Sequence, residues 1–153
     1  MTGKTGVQGL ARVLLYYDAS YESRAALIHA CSLCRAFEAE LHIQVVVDIE
    51  SAVACAGAPF TVLAKTDLDE CANAILDDAL RRSYAKGTNA KGIVSFGEVI
   101  CCMKETASAI DACAMVVGHR KRAWLSRLWF SVDIAERLLN EADQRIVIAV
   151  KPT

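Results

Sequence analysis

Five short apolar runs punctuate the chain: Arg12 to Tyr17, Leu41 to Val47, Gly92 to Phe96, Cys113 to Val117 and Ile146 to Val150. Four of them are almost unbroken by polar residues, the pattern of strands covered on both faces, because a strand with one wet face alternates. Between them lie four longer stretches whose apolar positions recur at helical spacing. Strands and helices in alternation predict a parallel sheet, and right-handed crossovers put helices on both of its faces. The expected fold is a three-layer α/β arrangement.

The first helix is expected from near Ser20, with Ala26, Ala30, Leu33 and Phe37 on one stripe and Leu27, Cys31 and Cys34 beside it. The second is expected from near Thr66, burying Leu68, Ala72, Ile75, Ala79 and Leu80. Asp67, Asp69 and Glu70 then fall at its positive end, Arg81, Arg82 and Lys86 at its negative end, and Gly87 closes it. The third follows Gly97 and spaces Val99, Met103 and Ile110. The fourth starts at about Ser131 with Ile134, Leu138 and Ala142 in register and Ala135 and Leu139 alongside. The segment from Ile49 to Ala64 is the one long connection, of a length that often serves as a lid or an interaction loop.

At 153 residues the chain is expected to form one domain, residues 1–153, and an apolar fraction of 54% lets it bury a sizeable core. The formal net charge of −1 gives no global attraction to nucleic acid or to an anionic membrane, so any such contact must come from a local patch. MTGKTGVQGLARVLLYY lacks the apolar core of a signal peptide, and no later run approaches a membrane span. A cytoplasmic protein is expected. Seven cysteines, an odd number without an export signal, read as reduced thiols used mostly for packing.

Most apparent motifs dissolve on inspection. Gly3-Lys4-Thr5 lacks the strand and first glycine of a P-loop. Cys31 and Cys34 stand about three turns into a helix, away from the dipole that would activate a redox pair. Cys101 and Cys102 point to different sides of the third helix, so at least one is expected to be partly exposed. His29, His42 and His119 lack metal-site spacing, and Asp77 and Asp78 diverge on their helix. No arrangement for nucleophilic catalysis stands out. Two places suit a ligand, Asp18-Ala19-Ser20 after the first strand and the stretch from Gly118 after the fourth, because open α/β sheets bind small molecules at the carboxyl ends of their strands.

RVLLYYDASYESRAAL, LHIQVVVD, VSFGEVI and AMVVGHRKR, in this order and spacing, resemble the universal stress protein family over nearly the whole chain. The resemblance implies a Rossmann-like open sheet of five parallel strands, order 3-2-1-4-5, with four main helices. It also implies homodimers formed through the last strand, here Arg145 to Lys151. In nucleotide-binding members an aspartate after the first strand and a valine at the end of the second contact adenine, which by position are Asp18 and Val46. Those members also carry glycine, two residues, glycine, nine residues, glycine, then serine or threonine around ribose and phosphates. Laid from Gly118, that pattern falls on Lys121, Ser131 and Val132, and an alignment through the following helix puts its end on Val132 and Asp133. Either register loses the motif. GHRKRAWLSRL further resembles a family branch with histidine after the loop glycine, an aromatic residue beyond it, and no ATP.

The expectation is a homodimeric stress-response protein that acts by binding or regulation, is not an enzyme and does not hold ATP tightly. The basic aromatic loop would face an unidentified protein partner, with Trp124 or Trp129 exposed as an anchor, or both packed under the loop. Asp18, Val46, Gly118, His119, Arg120 and Ser131 form a candidate or vestigial nucleotide site. The alternative is a sensor or weak ATPase taking ATP or AMP, in which Arg120, Lys121, Arg122 and Arg127 replace the lost glycine N–H donors. Nucleic-acid binding by the basic loop ranks below both, since the overall charge gives it little help.

Overall fold

The computed structural model describes residues 12–48, 62–119, 134–141 and 145–153. In chain order these form β1 (Arg12–Tyr16), α1 (Tyr21–Phe37), β2 (Glu40–Val47), α2 (Val62–Ala85), β3 (Ala90–Phe96), α3 (Val99–Ala109), β4 (Ala114–Gly118), α4 (Ile134–Glu141) and β5 (Ile146–Val150). The strands make one parallel sheet in the order β3-β2-β1-β4-β5, as expected.

Alternate residues of the buried strands feed two separate cores. Val13, Leu15, Leu41, Ile43, Val45, Ala114 and Val116 pack against Ala26, Leu27, Ala30, Cys31 and Cys34 of α1 and Ala72, Leu76 and Ala79 of α2. On the other face Leu14, Met115 and Val117 meet Ile100, Met103 and Ala107 of α3 and Ala135 and Leu138 of α4. This is why the runs in β1 and β4 lack polar alternation: both faces are dry. β2 instead alternates Leu41, Ile43 and Val45 of the first core with the polar Glu40, His42 and Gln44. Gln44 is nonetheless fully buried. Its Nε2 donates to Ser95 Oγ and Thr106 Oγ1, each at 2.8 Å, and to the Cys102 carbonyl at 3.2 Å, hooking α3 to the β2–β3 half of the sheet.

Three details of the helices depart from the periodic pattern. α2 begins at Val62 rather than near Thr66, so Asp67, Asp69 and Glu70 lie beyond its first turn and do not serve its positive end. Phe37 is 52% exposed, because a helix of 17 residues outruns the five-residue β1 beside it and its last residues, Arg35, Ala36 and Phe37, project past the core. Leu139 is 58% exposed. α4 instead turns that flank outward and binds α3 through charge: Arg137 donates to Glu98 Oε1 at 2.7 Å and stands 3.6 Å from Glu141. The remaining positions follow the reading closely, including Ser20 as the cap of α1 and Gly87 with φ +76° after α2. Residues 49–61, with most of the long connection, and Ala142 lie outside the described residues.

Candidate functional site

The first wall is the turn after β1. Tyr17 N–H still donates to the Gln44 carbonyl at 2.9 Å, so the ladder continues one residue past the strand. The Tyr17 side chain is buried under α1 and α2, and its hydroxyl donates to Asp78 Oδ2 at 3.1 Å. Burial raises the Tyr17 pKa; Arg24 opposes that and the Asp78 carboxylate adds to it. Asp78 itself is lowered, chiefly by its bond from Arg82 at 2.7 Å. The end of β1 is thus pinned to α2 just where the chain must reverse.

Asp18 then folds the reversal. Its Oδ1 accepts from Ser20 N–H at 3.0 Å, Ala19 takes φ +61°, and Ser20 Oγ accepts from Ser23 N–H at 3.1 Å as the helix cap. Aspartate and serine favour this conformation because their short side chains replace backbone partners locally. Ser23, buried among apolar neighbours, accepts from Asp18 N–H through Oγ at 3.4 Å.

The second wall is the end of β4. A Cβ built on Gly118 would lie 2.5 Å from the Glu22 carbonyl carbon, 2.6 Å from its oxygen and 2.8 Å from its Cβ. No side chain fits there without moving the backbone of α1. His119 N–H donates to the Val150 carbonyl at 2.7 Å, tying the start of the loop to β5.

The strand register brings the candidates together. Tyr16 stands opposite Gln44 and Leu15 opposite Val116, so the ladders carry Asp18 level with Val46 on one side and His119 on the other. Asp18, Val46, Gly118 and His119 therefore share one edge of the sheet, all half-buried, at the point where β1 leads outward to β2 on one side and β4 on the other. That is the topological switch point, where such sheets take ligands. Arg120 and Ser131, with Lys121, Arg122, Trp124, Arg127, Trp129, Val132 and Asp133, lie outside the described residues.

Two features of this edge escaped the sequence reading. Glu22, in the first turn of α1, meets the loop glycine, a contact between residues remote in sequence that no local pattern announces. Glu98 caps α3 by accepting from Cys101 N–H at 2.9 Å while its other oxygen holds Arg137. Burial pushes the Glu98 carboxyl up, but these bonds outweigh it and hold the group below its ordinary value. Only its place after Gly97 hinted at a cap. Exposed Cys101 has its thiol raised by the same carboxylate, and burial raises Cys102. Among the described residues no His, Cys, Asp and Glu group is arranged to hold a metal. Cys31, Cys34, Cys71, Cys101, Cys102 and Cys113 are free thiols.

A family model, the Universal stress protein family, matches residues 9–150. The chain belongs to the universal stress protein family. Solved universal stress proteins share its fold. One from Burkholderia pseudomallei is 22% identical, with a TM-score of 0.68 over 92% of this chain and 96% of its own. UspA from Lactobacillus plantarum is 20% identical, with a TM-score of 0.66 over 93% and 98%. A universal stress protein in complex with cAMP is 20% identical, with a TM-score of 0.65 over 94% and 98%. No curated protein matches the sequence. The five-stranded open sheet is thus a universal stress protein domain in its Rossmann-like form, and a role in stress response follows from the family. Among the described residues no helix is long and apolar enough to cross a membrane.

Proposed function

We propose that this universal stress protein works as a cytoplasmic homodimer, by binding or regulation rather than catalysis, and does not hold ATP tightly. The observation that carries the reading is the contact of Gly118 with Glu22. Gly118 is the one glycine left from the phosphate-loop pattern, and close packing on α1 requires it whether or not a phosphate ever binds. Its retention is therefore no sign of nucleotide chemistry. The positions that would give phosphate its backbone donors carry Lys121 and Val132 or their neighbours, which cannot bring N–H groups close at positive φ as glycine does. Asp133 adds a negative charge.

The second reading, an adenine-nucleotide sensor or weak ATPase, is favoured by one observation: Asp18 and Val46 come level at the switch point. A solved relative in complex with cAMP is consistent with it. A thermal-shift titration of the reduced protein with ATP, AMP and cyclic AMP, with and without magnesium, separates the two, since a ligand that binds only the native state raises its melting temperature. The expected result is no shift up to millimolar ligand, with a Lys121→Gly variant beside the parent. A saturable shift in the parent overturns the first reading in favour of the second.

A further inference from the structure

We infer that the outer face of α1 and α2 is a docking surface for an acidic, amphipathic segment of a partner protein. The inference rests on the reading that the chain acts by binding, and it names a surface and a partner chemistry for that role. Tyr21, Arg24, Ile28 and Arg35 recur at steps of three, four and seven residues, which put them on one stripe of α1, and all four are exposed. Contacts fix where the cations lie. Arg24 bonds the Tyr17 hydroxyl, which donates to Asp78 of α2. Arg82 Nε donates to the same carboxylate at 2.7 Å, and Arg81 Nη2 stands 3.5 Å from it. One turn further along α2, the Lys86 carbonyl accepts from Arg35 Nη1 at 3.0 Å. The four arginines therefore form a row along the seam of the two helices, from Arg24 through Arg81 and Arg82 to Arg35.

That row is under-neutralised. Among the described residues Asp78 is the only carboxylate paired with any of the four. Glu22, Glu38 and Asp77, acidic neighbours in the chain, form no ion pair with them. The chain as a whole carries a net charge of −1, so the positive excess is local to this face. Arg24 and Arg35 stand eleven residues apart on α1, a rise of about 16 Å. A single phosphate or carboxylate can meet two guanidinium groups but not both ends of such a row, so the complementary group is an extended polyanion. Ile28, 49% exposed, stands between the two ends, and Tyr21, 66% exposed, lies beyond Arg24. A nucleic-acid strand gains little from an isoleucine, which offers a base no aromatic face. A protein segment does gain, because apolar and aromatic anchors framed by arginine are what protein interfaces concentrate.

The test follows, by fluorescence anisotropy, the binding of a labelled amphipathic peptide with leucines at helical spacing and glutamates elsewhere. Polyglutamate and oligouridylate of equal charge are the comparison ligands. The proteins are the parent, the double variant Arg24→Gln with Arg81→Gln, the variant Ile28→Ser, and a loop variant, Arg120→Gln with Arg122→Gln. Melting temperatures show that each is folded; if the double variant is not, Arg81→Gln alone decides, since the Arg81 side chain is 79% exposed. The expected result is saturable peptide binding by the parent, weakened roughly tenfold in the double variant and in Ile28→Ser and unchanged in the loop variant. No saturable peptide binding by the parent overturns the inference. Equal binding of polyglutamate overturns it too, because charge alone then suffices, and tighter binding of oligouridylate makes the face a nucleic-acid surface instead. A loss confined to the loop variant moves the contact off α1 and α2. A thermal shift of the parent by ATP overturns the proposed function and leaves this comparison standing.

Discussion

At the scale of single residues, Gly118 and Gly92 are both crowded but differ in what crowds them. A Cβ on Gly118 would strike the backbone of α1, whereas one on Gly92 would meet only the Leu76 side chain, at 2.8 to 3.0 Å. Gly118→Ala should cost about 2–3 kcal/mol, since overpacking against backbone cannot be relieved by a rotamer change. Gly92→Ala should stay within about 1 kcal/mol of the parent, as Leu76 shifts and the alanine restricts the unfolded chain. Urea denaturation of both variants checks this, and equal costs would mean that α1 can move. The buried thiols make a second prediction. Cys34 is 2% exposed, and burial, with Cys31 and Cys113 nearby, pushes its thiol up to about 12. A pKa raised by folding gives stability that is intact below the unfolded thiol range and is lost as pH climbs through the folded value. The urea midpoint should therefore fall from roughly pH 8.5 upward. Tyr17 and Cys31 are raised in the same direction, so Cys34→Ala should flatten the slope in part rather than abolish it. An unchanged slope would remove Cys34 from the effect.

At the scale of elements, what was legible in the sequence was whatever a local pattern controls. β1 and β4 announced themselves because each is dry on both faces, β2 because Leu41, Ile43 and Val45 recur at every second position, and α1 because Ser20 follows Asp18 in a short turn that leads straight into the apolar stripe. The start of α2 was not legible. Thr61 before Val62 and Thr66 are both of a type that caps helices, and only Thr66 is followed by acids, so the later one reads as the stronger start. The candidate site divides the same way: Asp18, Gly118 and His119 could be named from strand ends and Val46 from the family resemblance, whereas Glu22 at Gly118 and Arg137 at Glu98 depend on which elements the sheet order makes neighbours. The cap is directly testable. Ser20→Ala removes the acceptor for Ser23 N–H and should cost about 1 kcal/mol, and Ser20→Asp should restore most of it. Equal stability of all three proteins would mean that the Asp18 turn alone sets the entry to α1.

At the scale of the whole molecule, the sheet has β3 and β5 as its two edges among the described residues, and they are not equivalent. β3 carries exposed Lys91 and Gly92, a charge and a weak strand former that discourage pairing. β5 carries Ile146, 54% exposed, Ala149, also exposed, and half-buried Val147 and Ile148, without a charge from Ile146 to Val150. An apolar edge of that kind is an aggregation hazard unless it is covered, and a second copy of the chain covers it with the symmetry that most homo-oligomers adopt. The proposed dimer through Arg145 to Lys151 thus follows from edge chemistry as well as from family resemblance. Placing lysine at the two exposed positions, Ile146→Lys with Ala149→Lys, should leave each protomer folded, because neither side chain is in the buried core. Sedimentation across a range of concentrations should show a dimer for the parent and a monomer for the double variant. A matching change at an exposed apolar position of the other edge, Phe96→Lys, should leave the dimer intact. If the double variant still dimerises, the contact lies away from β5 and the apolar edge must be shielded within the chain itself. If the parent is monomeric at every concentration, the homodimer falls.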